Sequence, residues 1–74
     1  MSDQITNLSG SVKVYFPDKG FGFISTEDLG DVFFHIKNVD EAYQDPQQGD
    51  HVVFDAAPSR KKPDSYQALN VMPS

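Results

Sequence analysis

The chain has 74 residues, six Lys or Arg against eleven Asp or Glu for a formal net charge of -5, and no cysteine. That length holds one small domain, and the lack of cysteine excludes a disulfide framework, a thiolate metal site and a thiol nucleophile. An acidic balance is the opposite of what phosphate neutralisation asks for, so a nucleic-acid partner has to be argued from where the cations stand.

Residues 1–9, MSDQITNLS, are polar and aperiodic and are expected to form a flexible tail, with the domain spanning 10–74. They carry neither the basic start nor the apolar stretch of a secretory signal, and no apolar run reaches the length of a membrane span. The expectation is a cytoplasmic protein without a membrane partner. Short runs rich in Val, Phe, Tyr and Ile follow: SVKVYF, GFGFIS, DVFFHI, HVVFDA and YQALNV. Turn residues close each run, PDKG after the first and TEDLGD after the second, as in hairpins. From Lys37 to Gly49 the chain is polar and interrupted by Pro46, which limits any helical turn at NVDEAY to a short one. APSRKKPD, residues 57–64, reads as an exposed loop between Pro58 and Pro63. These runs predict an all-β domain of about five strands.

GFGFIS and DVFFHI carry the functional signal. Side chains alternate across a strand, so Phe21 and Phe23 share one face while Gly20, Gly22 and Ile24 share the other. In the second run Phe33 and His35 lie in one phase, and Val32, Phe34 and Ile36 in the other. Paired strands would gather Phe21, Phe23, Phe33 and His35 beside Lys13 and Lys19, flat rings next to cations, which suits unpaired bases. Rings on a strand also suit a core, but here the aliphatic set already claims the opposite face. A chain this short cannot cover both. His35 and His51 are far apart in sequence, with no paired acids, serine motif or metal-ligand spacing beside them, so no enzyme chemistry and no cofactor follow from the residues.

KGFGFI followed by DVFFHI resembles the paired ribonucleoprotein-type motifs of bacterial cold-shock proteins. GSVKV before the first hairpin, QQGDHVVF before the fourth strand and QALNV at the end extend that likeness over nearly the whole chain from Gly10. An RNA-recognition motif also has a K-G-F-G-F run, but continues it to an aromatic at the eighth position, where this chain has Thr26. The cold-shock resemblance implies a small five-stranded antiparallel OB-type barrel, commonly monomeric, that binds single-stranded RNA and DNA and keeps transcripts unpaired as an RNA chaperone. It carries binding roles to Lys13, Tyr15, Lys19, Phe21, Phe23, Phe33 and His35, with Val14, Ile36, Tyr43, Arg60, Lys61 and Lys62 as accessory candidates.

The chain also departs from the family pattern. Where cold-shock proteins usually have Trp then Phe, it has Val14 and Tyr15; Phe16 stands at a position usually Asn, and Ile36 where an aromatic usually follows the motif histidine. Simple alternation puts Lys13 and Tyr15 in one phase and Val12 and Val14 in the other, so Val14 reaches the binding face only through a bulge or strong coiling. Otherwise Tyr15 takes its place. A rival function fits the lost Trp and the acidic balance: a barrel whose exposed rings grip a protein partner.

Overall fold

Alternating apolar residues give each strand one face for a shared interior, and five strands close around it. The computed structural model describes residues 4–59 and 65–74. In chain order these form β1 (Ile5–Phe16), β2 (Phe21–Thr26), β3 (Gly30–His35), β4 (His51–Pro58) and β5 (Tyr66–Pro73). The strands make a closed barrel in the order β1-β2-β3-β5-β4, an OB-type architecture. All neighbours are antiparallel except β3 and β5, which pair in parallel through Phe33 and Gln67. The expectation of a purely antiparallel barrel is corrected on this point. Directions cannot alternate all the way round a ring with an odd number of strands, so one adjacent pair has to run parallel.

Val12, Ile24, Val32, Phe34, Val52 and Val71 are fully buried, joined by Val39, Phe54, Ala56 and Ala68. Ile24, Val32 and Phe34 occupy the face that alternation assigned to the interior. Each large apolar side chain there contributes roughly 1.5 to 3 kcal/mol through burial. The opposite face of β2 and β3, which carries Phe21, Phe23, Phe33 and His35, remains outside.

Strand β1 begins at Ile5, inside the stretch expected as a tail. Ile5 pairs with Ala56 and Leu8 with Phe54, and Leu8 packs against the core. The aperiodicity of these residues has a local cause. Between Ile5 and Leu8 the register shifts, and Asn7 adopts a left-handed φ of 59°, a conformation Asn tolerates better than most residues. Its backbone N–H donates to the Asp55 carboxylate at 3.2 Å, and Asn70, also left-handed at φ 53°, donates its side-chain amide to the same carboxylate at 3.0 Å. One carboxylate on β4 thus fastens an irregularity in each neighbouring strand.

Two glycines answer to backbone demands around the ring-bearing hairpin. Gly20 closes the turn after β1 with φ 73°, donating its N–H to the Phe16 carbonyl at 2.8 Å. Gly22 lies in β2 between Tyr15 and Phe34 of the flanking strands. Those two rings stack across it, 5.9 Å between centroids and 21° between planes. A Cβ on Gly22 would meet the Val14 carbonyl and stand 2.9 Å from the Phe34 ring. The glycine makes room for an aromatic pair on the inner face.

After β3 the chain makes a 3-10 turn at Ile36–Asn38, which overlaps the NVDEAY stretch only at Asn38. The imidazole of His35 caps it by accepting the Lys37 N–H. Further on, Tyr43 N–H donates to the Asp40 carbonyl at 2.8 Å, which makes a turn but no helix.

Candidate functional site

Cross-strand neighbours present their side chains on the same face, so strand register shows which residues stand together. Outside the barrel, Phe16 pairs with Phe21 and Phe21 with His35; one step along, Val14 pairs with Phe23 and Phe23 with Phe33. The result is a grid of two rows on three strands. A polar row, Ser11, Ser25 and Asp31, bounds it at one end, and the Pro17–Gly20 turn bounds it at the other. The inner face alternates with it: Tyr15, Gly22 and Phe34 in one row, Val12, Ile24 and Val32 in the next.

The rings touch one another. Phe21 lies 5.5 Å from Phe33 at a 37° tilt, and Phe23 lies edge-on to both, 6.4 Å from Phe21 and 5.9 Å from Phe33. Phe16 adds an edge contact to Phe21 at 5.5 Å. Such contacts are favourable in their own right and fix the rings relative to one another before a ligand arrives. Phe21, Phe23, Phe33 and His35 are half-buried and Phe16 is 38 % exposed. His35 uses Nδ1 to accept the Lys37 N–H at 3.1 Å. In the neutral ring the proton then sits on Nε2, which can donate to a ligand.

The arrangement of β1 depends on a register shift between Val12 and Val14. Both residues have partners on β2, and Lys13 is the extra residue, so the strand bulges there. The bulge reverses the phase that simple alternation gives to everything after Lys13. Val14 comes to the outer face opposite Phe23, and Tyr15 turns inward to stack on Phe34. Tyr15 packs against the core, away from the grid that the other rings form.

The cations stand at the margins. Lys13 forms an ion pair with Asp31 at 2.7 Å, both side chains about half exposed. Lys19 holds its ammonium 5.5 Å from the centre of the Phe16 ring, over its face. Of the accessory candidates, Ile36 packs against the core, with its methyl beside Gly20 and its N–H on the Gly20 carbonyl. Tyr43 also packs against the core, its hydroxyl donating to Asp50 at 2.6 Å. Arg60, Lys61 and Lys62 lie outside the described residues.

The structure therefore brings Phe21, Phe23, Phe33 and His35 together, with Val14 beside them, and adds Phe16, which alternation alone does not indicate. The signal for Phe16 was present in the hairpin. Residues flanking the four-residue turn PDKG face each other across it, which pairs Phe16 with Phe21.

The model of the 'Cold-shock' DNA-binding domain matches residues 8–74. The chain is 41 % identical over 68 residues to cold shock protein ScoF of Streptomyces coelicolor, covering 89 % of this chain and 97 % of that protein. It is 39 % identical over 66 residues to cold shock protein 1 of Lactiplantibacillus plantarum, covering 88 % and 96 %. Against the cold shock-like protein CspC of Bacillus cereus the identity is 38 % over 66 residues, covering 88 % and 97 %.

Proposed function

The chain belongs to the cold-shock domain family, and from that premise we propose that it binds single-stranded RNA and DNA without catalysis and acts as an RNA chaperone. One observation carries the reading: a grid of mutually fixed rings on the outside of the barrel, flanked by Lys13 and Lys19. Bases stack on Phe21, Phe23 and Phe33, each worth roughly 1 to 3 kcal/mol and largely independent of sequence. His35 donates from Nε2, and the two lysines meet the backbone. A protein that occupies single strands draws RNA out of hairpins by mass action, needing neither ATP nor a reacting group, and in this way would influence transcription or translation. We place this activity in a cytoplasmic monomer. Among the described residues no helix is long and apolar enough to cross a membrane.

Calorimetric titration with oligothymidine, oligouridine and a duplex of matched length tests the proposal. Saturable binding of the two single strands with little duplex binding is expected. If neither single strand binds at low salt, the reading fails and the protein-gripping alternative takes its place.

A further inference from the structure

Phe16 is an exposed outward ring that the family pattern does not account for. It stands at a position usually Asn, while the position usually Trp holds Val14. The bulge at Lys13 brings both residues to the outer face, at two corners of the same grid. In the Val14 row, β1 offers only methyl groups; in the Phe16 row, it offers a whole ring. Phe16 is 38 % exposed, lies edge-on to Phe21 at 5.5 Å and has the Lys19 ammonium over its face.

We propose that Phe16 and Lys19 form a nucleotide subsite at the turn end of the grid, so that the first-strand stacking position has moved one row along β1, from Val14 to Phe16. This inference rests on the single-strand reading above. A ring beside an ammonium offers a nucleotide its two needs, a flat surface for the base and a cation for the phosphate. The contact with Phe21 makes the subsite continuous with the neighbouring ring, so a strand crossing the grid reaches Phe16 without leaving the surface. An exposed Phe otherwise gains little by standing beside a polar turn; as the terminal stacking position it lengthens the track by one base.

The test measures affinity for oligothymidines from about four to about eight nucleotides, within the range an OB barrel covers, using wild type, Phe16→Ala, Phe16→Tyr and Phe33→Ala. Phe16→Ala is expected to match wild type on the shortest strands and to fall about fivefold to a hundredfold below it on the longest. Phe16→Tyr keeps the ring and should restore the longest-strand affinity. Intermolecular nuclear Overhauser contacts from the Phe16 ring to a thymine methyl are expected in the long-strand complex. If Phe16→Ala equals wild type at every length while Phe33→Ala weakens binding, the subsite is refuted and the platform stands. An equal loss at every length would show that Phe16 only supports Phe21, and would also overturn the subsite. If wild type binds no strand, the platform reading itself has failed.

Discussion

Val14 shows how much one residue can decide. It lies on the outer face opposite Phe23 because Lys13 is bulged out of register, and it presents methyl groups where a flat surface would hold a base better. Val14→Trp should therefore leave the melting temperature near that of wild type and tighten oligothymidine binding by up to roughly 1 to 3 kcal/mol. The chain has no Trp of its own, so the new indole reports alone, and its fluorescence should quench on titration. A residue packed in a core would behave differently: the same substitution would overpack it and cost roughly 1 to 3 kcal/mol of stability. A destabilised variant with no gain in affinity would reject the outer placement. Tyr15 is the converse case. It fits the family's aromatic position, yet its ring stacks on Phe34 over Gly22, where its main contribution is to the interior.

At the scale of elements, the long connection between β3 and β4 is held by Tyr43 and Asp50. The Tyr43 hydroxyl donates to the Asp50 carboxylate, which also accepts the Gln47 N–H at 3.0 Å. The Asp50 carbonyl takes the Val12 N–H at 2.9 Å, so this clasp adjoins the start of the bulge that sets the grid. Burial, aided by the hydrogen bond to Asp50, pushes the Tyr43 phenol up to about 12 from 10.0. The hydrogen bond from Tyr43, and then that from Gln47, hold the Asp50 carboxyl below the usual carboxylate range. Since the folded phenol is the weaker acid, its stabilisation is complete below about pH 10 and is lost as pH rises toward about 12. The folded Asp50 is the stronger acid, so its contribution is present above the ordinary carboxylate pKa and is lost as pH falls through the depressed value. In Tyr43→Phe both slopes should flatten, which melting temperatures measured across acid and alkaline pH would show. Unchanged slopes at both ends would remove the clasp from the account.

Legibility in the sequence also divides by element. β2 and β3 are plain, because strict alternation in GFGFIS and DVFFHI separates Phe21, Phe23, Phe33 and His35 from the inward Ile24, Val32 and Phe34, and a short hairpin leaves little freedom of register. β1 is not, because it has to serve two neighbours. Its left-handed Asn7 and its bulge at Lys13 each shift the register, and a period of two cannot be followed through an extra residue. That one break left Val14 and Tyr15 as alternatives for the binding face, and alternation alone put Phe16 in the inward phase although the PDKG hairpin pairs it with Phe21. The parallel contact between β3 and β5 was hidden for another reason: barrel closure is a property of the ring of strands and is not written in any one of them.

Charge is a property of the whole molecule, and here it limits what electrostatics can do. With a net charge of -5 and Lys13 and Lys19 as the cations placed beside the rings, binding is expected to rest more on stacking than on counterion release. The logarithm of affinity should fall with the logarithm of salt by a slope corresponding to about 2 to 4 phosphates. Asp31 holds one of these cations at 2.7 Å. An exposed pair of this kind contributes only about 0 to 1 kcal/mol to stability, so Asp31→Asn should fold normally and release Lys13 to phosphate. Tighter binding at low salt and a slope steeper by about one are expected; an unchanged slope would mean that Lys13 stays out of the phosphate path.

In the proposed function, single strands are held by rings on the outer face of the barrel. Phe33 tests it most directly, because it touches both Phe21 and Phe23 yet stands outside the buried core. The measurement is the calorimetric affinity of Phe33→Ala for oligothymidine, beside wild type, with folding checked by circular dichroism. A native spectrum and a loss of roughly 1 to 3 kcal/mol in binding are expected. A native spectrum with undiminished affinity would contradict the proposed function.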